Sequence, residues 1–296
     1  MKKKILLLTG TTGFIGYKFL QYALSKNFFV IDILRDRNRN NKKIKNLKEN
    51  YPRKYKNIFF SNSNDLSQKI KKLKIDCFIN FATLYSNHHS YNQIQDFIES
   101  NILFPSLIYD LVNKRTSKMI NFGSMMQHSK NELLISKNFY AATKNAFEMI
   151  SNYYSNINNI SKFYNIKFYE SFGVYDKRKK LIPTIINNYK KKKLTKILSK
   201  NLSLNIIHTD DIINSVMVLI NNNIKSGSYC IKNTKNIKIH ELIKKINKQL
   251  KINIKVKYGN KSTTHNAQSK LKTLPKWKPL KNLETKIIKA FNNEIN

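Results

Sequence analysis

Short apolar runs alternate with segments of helical periodicity along the first part of the chain. The apolar runs predict β-strands over residues 5–9, 28–34, 58–60, 76–82, 119–122 and 166–170, and the periodic segments predict helices over 15–24, 66–73, 97–112 and 140–154. Strands that are apolar throughout and alternate with helices are typical of a parallel sheet covered on both faces. The pattern therefore predicts an α/β fold with a doubly wound parallel sheet.

The rhythm changes near residue 172. A basic loop and Pro183 are followed by a helix that ends near Lys193, an isolated strand over 204–207, and helices over 211–222 and 239–250. Ligands bind such sheets at the carboxyl ends of the strands, so we expect this later segment to pack over that edge. The sequence thus predicts a sheet domain over residues 1–171 and a smaller, partly interleaved α/β lobe over residues 172–296.

The formal net charge of +38 raises the question of whether the protein binds nucleic acid. A strongly basic protein gains affinity for nucleic acid by releasing phosphate counterions. Here, however, lysine and asparagine are abundant in core-like and loop-like segments alike, and the lysine runs form no single stripe. Distributed charge favours a compositional origin, so we expect no specific nucleic-acid partner, although a positive field favours an anionic substrate.

The length, cysteine content and hydropathy of the chain limit which class of protein it can be. The 296 residues, 41% of them hydrophobic, can bury a substantial core. Cys77 and Cys230 lie far apart and are expected to be reduced thiols. The basic, apolar start is similar to a secretory signal, but its apolar run ends at Thr9 and is too short. No segment reaches the ~18 uncharged apolar residues that span a membrane, so we expect a cytoplasmic protein.

A glycine-rich loop follows the first predicted strand and opens the first predicted helix. Gly10, Gly13 and Gly16 have the spacing G-x-x-G-x-x-G and are three of only seven glycines. Glycines let the backbone approach a pyrophosphate, and the helix N-terminus presents free N–H groups to it. The loop predicts an NAD(P)-binding Rossmann domain over residues 1–171. Six loop residues are expected to contact the cofactor: Gly10, Thr12, Gly13, Phe14, Ile15 and Gly16.

The end of the second strand bears on the choice between NAD and NADP. NAD binders usually place an acid on the ribose 2′-hydroxyl about 20 residues after the glycine loop. That position falls at or near Leu34 and is followed by Arg35, and arginine pairs with a 2′-phosphate instead. Asp32 lies two residues earlier and would favour NAD if it faced the ribose. The residues favour NADP(H) and leave NAD(H) open.

Three residues form a candidate catalytic group. Tyr140 and Lys144 are spaced i, i+4 and share one face of a predicted helix. A tyrosine with a pKa near ~10 is a poor acid at neutral pH unless a nearby cation such as Lys144 stabilises its phenolate. The pair can then exchange a proton with a substrate oxygen as hydride moves. Ser124 closes the fifth strand, where its hydroxyl can orient that oxygen.

Together, the glycine loop, Ser124, Tyr140 and Lys144 resemble the extended short-chain dehydrogenase/reductase family, in its NAD(P)-dependent epimerase/dehydratase branch. The resemblance runs nearly from end to end, because residues 80–83, 207–211 and 277–279 are similar to further segments of the family. It implies more cofactor contacts, from Asp65 and Leu66 near the adenine, from Phe81, Ala82 and Thr83 near the ribose, and from Asn101, Tyr140 and Lys144.

Within this branch the chain looks most like reductases of 4-keto-6-deoxy sugar nucleotides, of the dTDP-fucose and CDP-abequose types. Met125 and Met126 stand where 4,6-dehydratases have the Asp-Glu pair that eliminates water, which argues against a dehydratase. The chain departs from the branch in the short gap between Ser124 and Tyr140, and in residues 172–176, which replace the family's N-V-Y-G-P.

The resemblance implies a function in deoxysugar or surface-polysaccharide precursor synthesis. NADPH would reduce the C4 carbonyl of a nucleotide-diphosphate sugar held by the smaller lobe, while Tyr140 protonates the oxygen. An NAD-dependent nucleotide-sugar 4-epimerase is the nearest alternative, and a non-catalytic dinucleotide sensor or nucleic-acid-binding protein is a second one. By analogy with the family we expect a homodimer, formed through the helices around Phe97 and Tyr140.

A few polar residues have roles that the sequence leaves open. Arg178 and the lysines after it could hold a substrate diphosphate or form a solvated basic loop. Gln127 and His128 could face the substrate or serve only the loop. His88 and His89 have no cysteine or carboxylate at ligand spacing, so we expect no metal site.

Overall fold

The computed structural model describes residues 3–128, 135–158, 161–260, 271–280 and 282–295. The first part of the chain contains β1 (Lys4–Thr9), α1 (Phe14–Ser25), β2 (Phe28–Arg35), α2 (Lys42–Asn50), β3 (Tyr55–Phe60), α3 (Ser63–Ile70), β4 (Cys77–Asn80), α4 (Ile94–Ile98), α5 (Phe104–Val112), β5 (Lys118–Phe122), α6 (Phe139–Asn158) and β6 (Lys162–Lys167). The later part contains β7 (Glu170–Phe172), α7 (Leu181–Lys190), β8 (Thr195–Ile197), β9 (Ser203–Leu204), β10 (Ile206–His208), α8 (Thr209–Asn221), β11 (Gly227–Cys230), β12 (Ile237–Lys238), α9 (Ile239–Leu250), β13 (Val256–Tyr258) and α10 (Leu283–Ile295).

Seven strands form one sheet in the order β11-β6-β5-β4-β1-β2-β3, and every neighbouring pair is parallel. The order reverses between β1 and β4, which is where ligands bind in doubly wound sheets. This arrangement confirms the predicted α/β fold with a doubly wound parallel sheet. The chain adds a seventh strand, β11, that the apolar pattern did not predict.

The apolar strands supply two core layers because successive side chains point to opposite faces of the sheet. Leu6 and Leu8 of β1 pack into the core that contains α1 and α8, whereas Leu7 packs into the opposite core with α3 and α5. All three leucines are fully buried. Burial on both faces explains why the strand sequences are apolar throughout rather than alternating.

The later part of the chain has a third core of its own. Apolar residues of α7, α9 and α10 pack together, among them Ile185, Ile243 and Phe291, and three two-stranded pairs (β7–β10, β8–β13 and β9–β12) surround them. By contrast, α8 and β11 belong to the large sheet and its core, so the chain returns to the first domain after leaving it. The boundary between residues 171 and 172 stays a prediction.

Two lysines at the amino edge of the sheet hold the end of α8. Lys118, the first residue of β5, donates from Nζ to the carbonyl oxygens of Leu219 (2.7 Å), Ile220 (3.0 Å) and Asn222 (2.8 Å). Lys4 of β1 donates to Ile220 as well, at 3.2 Å. The last carbonyls of a helix lack intrahelical partners and carry partial negative charge, so these ammonium groups fasten α8 to the sheet.

Several elements differ from the sequence-based prediction. The helix α2 lies within a polar stretch where none was predicted, β6 begins at Lys162 rather than near residue 166, and α10 was not predicted. A π-helical turn over Glu99–Leu103 separates α4 from α5 within the segment predicted as one helix. Within the described ranges no helix has the length and hydropathy needed to cross a membrane. Cys77 and Cys230 are buried and free.

Candidate active site

A cleft of ≈ 830 Å³ opens at the carboxyl edge of the sheet. The glycine loop after β1, the segments that follow β2, β4 and β5, the first turns of α6 and the basic loop before α7 line it. Because the strands are parallel, their carboxyl ends meet at this edge, so residues far apart in sequence converge on one space. The volume is typical of cofactor and substrate sites.

The glycine loop is shaped by close backbone approaches. Gly10 has a φ of +72°, and a Cβ on it would lie 2.3 Å from the backbone nitrogen of Ala82. A Cβ on Gly16 would lie 2.4 Å from the carbonyl oxygen of Gly10. Both positions therefore require glycine. The loop ends at Gly13, the N-cap of α1, so the free N–H groups of that helix open onto the cleft and suit the pyrophosphate of a dinucleotide.

Asp32 is withdrawn from the cleft. Thr11 Oγ1 and the Tyr55 hydroxyl each donate a hydrogen bond to Asp32 Oδ2, both at 2.6 Å, and the side chain is fully buried. Burial raises the pKa of Asp32 to about 7, although the hydrogen bonds from Thr11 and Tyr55 act in the opposite direction. Asp32 does not line the cleft.

The cleft wall beyond β2 is formed instead by Leu34, Arg35 and Arg37. No described residue forms a hydrogen bond or an ion pair with the guanidinium of Arg35 or of Arg37. Arg39, in contrast, pairs with Asp36 at 2.7 Å and lies over the ring of Phe59. Two cations are thus available to a ligand at this end of the cleft.

Tyr140 and Lys144 lie in the first turns of α6 and both line the cleft. Asn138 caps the helix by accepting a hydrogen bond from the backbone of Ala141 at 3.0 Å. Burial lowers the pKa of Lys144 to about 7. Burial and the nearby Tyr85 raise the pKa of Tyr140, which a hydrogen bond from Thr83 and the charge of Arg178 oppose. At neutral pH the phenol therefore holds its proton, while the lysine is poised between its charged and neutral forms.

Ser124 follows β5 and begins a 3₁₀ turn over Met125–Gln127. Its Oγ accepts a hydrogen bond from the backbone of Met126 at 3.2 Å, so its own proton can be donated elsewhere. The Gln127 side chain accepts in return from the Ser124 backbone, which makes the segment a capping box. Ser124 lines the cleft together with Tyr140 and Lys144.

A buried polar network lies directly behind Ser124, and the sequence-based prediction missed it. Gln127 donates from Nε2 to Glu148 Oε2 at 2.7 Å and to Asn145 Oδ1 at 2.6 Å. Lys167, at the end of β6, forms an ion pair with Glu148 at 2.8 Å. Burial alone would raise the pKa of Glu148, but the charge and hydrogen bond of Lys167 outweigh it and hold that pKa below its usual value. Two signals in the sequence point to the network: the S-x-x-Q pattern at Ser124, and the position of Glu148 four residues after Lys144.

Asn101 lies in the π-helical turn and does not line the cleft. Its Oδ1 accepts from the backbone of Leu84 at 2.7 Å and from Thr83 Oγ1 at 3.1 Å, while its Nδ2 donates to Thr143 Oγ1 at 3.0 Å. Asn101 therefore joins the loop after β4 to helix α6, and it supports the cleft from behind. π-Helical turns are frequent at functional sites.

Most predicted cofactor contacts come together, and a few do not. The residues that line the cleft are Gly10, Thr12, Gly13, Phe14, Ile15, Gly16, Arg35, Phe81, Ala82, Thr83, Ser124, Tyr140 and Lys144. Asp65 and Leu66 do not line it: Asp65 pairs with Lys69 at 2.7 Å, and Leu66 is buried in the core beneath α3. Their roles at the adenine stay a prediction.

The basic loop before α7 is folded against the cleft. Arg178 forms a two-point ion pair with the buried Asp176, through Nε at 2.9 Å and Nη2 at 2.7 Å, and lies over the ring of Phe14. Lys180 lies 4.2 Å from the centroid of the Tyr85 ring. Arg178, Lys179 and Lys180 all line the cleft. Arg178 and Lys180 therefore have protein partners beside the cleft, and a role of this loop in holding a substrate diphosphate stays a prediction.

Two of the described histidines contact other side chains. His89 stacks on Phe139 with ring centroids 4.5 Å apart, and His128 contacts Lys167 Nζ through Nε2 at 2.9 Å. No group of three His, Cys, Asp or Glu side chains among the described residues is arranged to hold a metal ion.

A sequence profile of the NAD dependent epimerase/dehydratase family matches residues 6–231. The chain belongs to this family. It is an NAD(P)-dependent enzyme of the extended short-chain dehydrogenase/reductase type. Among curated proteins it is similar to the CDP-abequose synthase of Salmonella typhimurium, with 26% identity over 240 residues that cover 77% of this chain and 73% of the relative. The Yersinia pseudotuberculosis CDP-abequose synthase is also 26% identical, over 76% of this chain and 75% of the relative.

Solved structures of nucleotide-sugar enzymes share the fold of this family member. The UDP-glucuronic acid 4-epimerase of Bacillus cereus superposes with a TM-score of 0.79 at 16% identity, over 98% of both chains. The dTDP-glucose 4,6-dehydratase of Bacillus anthracis gives a TM-score of 0.78 at 17% identity, over 98% of this chain and 96% of the other. At these identities the similarity establishes the fold alone.

Proposed function

We propose that the protein is an NADP(H)-dependent reductase of a nucleotide-activated 4-keto-6-deoxy sugar. The observation that carries this proposal is the convergence of Ser124, Tyr140 and Lys144 with the glycine loop on one cleft. Met125 and Met126 occupy the positions at which dehydratases of this branch have carboxylates. The similarity to CDP-abequose synthases over about three quarters of the chain supports a deoxysugar substrate.

The cleft fits a nicotinamide dinucleotide, since Gly10 and Gly16 leave a cradle that a Cβ would fill. When bound, this cofactor supplies the hydride. The pair of unengaged cations at Arg35 and Arg37 supports NADP(H), because guanidinium groups bind a phosphate well. Asp32, the residue that would favour NAD, accepts hydrogen bonds from Thr11 and Tyr55 inside the core and has no exposure to a ribose.

Three side chains around the reacting carbonyl donate the proton, stabilise the charge that develops and orient the substrate oxygen. Tyr140 holds its proton at neutral pH and donates it to the oxygen that becomes the C4 hydroxyl. The Lys144 ammonium one helical turn away offsets the negative charge that then develops on the phenol. The Ser124 hydroxyl, whose oxygen already accepts from Met126, donates to the same substrate oxygen and orients it.

The anionic part of the substrate is proposed to lie against the basic loop. Arg178, Lys179 and Lys180 line the cleft, and Arg178 is held in place by Asp176. A nucleotide diphosphate carries the complementary charge. Proteins of the same fold have been solved with UDP-sugars and NAD, which supports this substrate class. The cytoplasmic location stays a prediction.

The test is NADPH oxidation with a panel of dTDP-, CDP-, GDP- and UDP-linked 4-keto-6-deoxy sugars. We expect turnover of at least one of them, and a fall in kcat of roughly 10²- to 10⁴-fold for Tyr140→Phe, because the proton donor is lost. Tyr154→Phe, on the same helix but outside the cleft, is the control and keeps its activity. Failure to turn over any sugar contradicts the proposal. A 4-epimerase acts on the C4 alcohol rather than on the ketone, so interconversion of the matching 4-hydroxy sugars with NAD⁺ and no net redox change would support that alternative instead.

The same assay tests the preference for NADPH over NADH. Arg35→Leu is expected to lower kcat/KM for NADPH by roughly 10- to 100-fold, the loss of one or two charged hydrogen bonds, and to leave NADH unaffected. Arg39→Leu is the matched control, because its guanidinium is already paired with Asp36. Equal losses with NADPH and NADH would argue that Arg35 supports the fold rather than the 2′-phosphate.

A further inference from the structure

Gln127 lies behind the cleft rather than in it. Its side chain is fully buried, and it does not line the cleft. Its Oε1 accepts a hydrogen bond from the backbone N–H of Ser124 at 2.7 Å. The neighbouring Gly123 leaves room for this contact, because a Cβ there would lie 2.4 Å from Gln127 Oε1.

The other end of the Gln127 amide reaches helix α6. Its Nε2 donates to Glu148 Oε2 at 2.7 Å. Glu148 is spaced four residues after Lys144 and eight after Tyr140, so all three lie on one face of the helix. A single side chain therefore spans from the backbone of the strand-end serine to the face of α6 that presents the other two cleft residues.

Glu148 is itself fixed from the sheet. Lys167 of β6, with 1% of its side chain exposed, pairs with it at 2.8 Å, and the Ser228 hydroxyl of β11 donates to its other oxygen. A buried ion pair is weak evidence for stability, since desolvation of the two charges offsets their attraction. The ion pair instead has a geometric role: contacts from β6 and β11 hold the Glu148 carboxylate to which Gln127 donates.

We propose that Gln127 is a positioning residue that ties Ser124 to the Glu148–Lys167 ion pair and thereby fixes the Ser124 hydroxyl relative to Tyr140 and Lys144. The proposal rests on the proposed reductase function. Small displacements of a group that orients substrate cost a large part of the rate. Because Gln127 has no surface in the cleft, its loss affects the reaction step rather than substrate binding.

Gln127→Met keeps the length of the side chain and removes both hydrogen-bonding ends. We expect kcat to fall by roughly 10- to 100-fold with KM within about twofold of the wild type. In a Ser124→Ala background the same substitution should have no further effect on kcat, because it acts through Ser124. Gln127→Glu keeps the oxygen that accepts from Ser124 but sets a carboxylate against Glu148 Oε2, so the tie to helix α6 can form again only when one of the two carboxyl groups is protonated. Its kcat relative to the wild type should therefore rise as the pH falls.

Asn205→Leu is the control for a loss of stability alone. Asn205 is also a buried carboxamide that joins two segments, through bonds to Asn233 and Asn236, but it lies in the smaller lobe and away from the cleft. Thermal denaturation should register a loss of stability in both variants, and only Gln127→Met should lose kcat.

Three outcomes would overturn the inference while leaving the proposed function intact. They are an equal loss of kcat in the wild-type and Ser124→Ala backgrounds, a Gln127→Glu variant whose kcat relative to the wild type does not rise as the pH falls, and a change confined to KM. If Gln127→Met does not fold, the pH dependence of kcat in Gln127→Glu relative to the wild type decides. A wild-type protein that reduces no sugar removes the proposed function itself, and the inference with it.

Discussion

Burial controls the charge of the ionisable side chains around the cleft. Asp32, Tyr140 and Lys144 are each shifted towards the neutral form, chiefly because they are removed from water. The consequences differ. For Tyr140 a raised pKa keeps the proton needed for reduction, and for Lys144 a pKa of about 7 makes its charge responsive to bound anions. For Asp32 the shift only destabilises the ionised side chain, which has no partner of opposite charge.

Asp32→Asn should change how stability depends on pH. The pKa of Asp32 rises from 3.8 to about 7 on folding, so between these values the folded protein binds more protons than the unfolded chain. The contribution of Asp32 to the free energy of unfolding therefore falls as the pH rises from about 4 to about 7. The asparagine can still accept from Thr11 and Tyr55 but does not titrate. We expect it to gain about 1–3 kcal/mol relative to the wild type at pH 8 and little at pH 4.

Urea denaturation at a series of pH values measures this difference. Asp36→Asn is the control, because Asp36 lies at the surface and pairs with Arg39. The ratio of activities with NADPH and NADH should not change in Asp32→Asn, since the side chain does not reach the cleft. A wild-type minus variant difference that is the same at every pH would contradict the burial of an ionisable Asp32.

Among the secondary-structure elements, the two edges of the sheet have different roles: one forms the cleft, and the other anchors helix α8. At the carboxyl edge, loops and helix starts bring together the groups that bind and react. At the amino edge, Lys118 of β5 and Lys4 of β1 receive the end of α8. The helix α8 in turn begins at the capping box of His208 and Asp211, at the end of β10 in the smaller lobe. One helix thus joins the smaller lobe to the sheet from edge to edge.

Lys118→Met should weaken this attachment. The variant keeps most of the apolar stem but loses three hydrogen bonds from an ammonium group to carbonyl oxygens. We expect a loss of about 1–3 kcal/mol in the free energy of unfolding. Lys4→Met removes two longer hydrogen bonds, to the Ile220 carbonyl at 3.2 Å and to the exposed Asn221 side chain at 3.4 Å, and should cost less. The kcat of folded Lys118→Met should equal that of the wild type, because the cleft lies at the other edge. Equal stability of the two variants would contradict this account.

Elements that depend on local pattern were predictable, whereas those that depend on distant partners were not. The strand–glycine loop–helix unit and the Tyr140–Lys144 pair follow from short-range spacing. The strand β11 is only four residues long and becomes a strand because it meets β6, some sixty residues earlier in the chain. The helix α2 presents only Ile44 and Leu47 to the core, too few for a clear periodic signal.

The same distinction holds for the site. The capping box of Ser124 and Gln127 is local and its S-x-x-Q pattern stands in the sequence, although the sequence analysis left the role of Gln127 open. The contacts of Glu148 with Gln127 and with Lys167 depend on the packing of α6 against the sheet, which the spacing of Glu148 after Lys144 does not specify by itself. Likewise, the sequence placed Asp32 near the ribose as a competitor to Arg35, and only the packing of Tyr55 and Thr11 around it removes it from the cleft.

At the scale of the whole molecule, the positive charge matters most where basic side chains line the cleft and can contact a ligand. The net charge of +38 is distributed over the chain. Within the cleft, however, Arg35 and Arg37 lie at one end and the loop of Arg178 to Lys180 at another. Such a distribution suits an anionic cofactor and an anionic substrate bound side by side, and a positive field accelerates the capture of both.

A row of exposed apolar residues follows the outer face of α6. Met149, Tyr153 and Ile157 are spaced i, i+4, i+8, and each is more than half exposed. Ile98 of α4 and Leu103 of the adjoining π-helical turn add exposed apolar surface on helices that pack beside α6. Contiguous apolar surface of this kind marks interaction sites. We propose that it is the interface of a homodimer in which α6 and its neighbours pack against the same helices of a second copy.

Replacing Tyr153 and Met149 together by glutamate should convert the dimer to a monomer. In a two-fold symmetric interface each substitution occurs twice, so four like charges would be buried in an apolar contact. Sedimentation analysis of the wild type should give a dimer at micromolar concentration, and the double variant should sediment as a monomer with an unchanged fold. Leu198→Glu is the control, because Leu198 is equally exposed but lies in the smaller lobe. A wild-type monomer, or a dimer that survives the double substitution, would place the contact elsewhere. Because Tyr140 and Lys144 lie on the same helix as this row, loss of the dimer should lower kcat only as far as it loosens the first turns of α6.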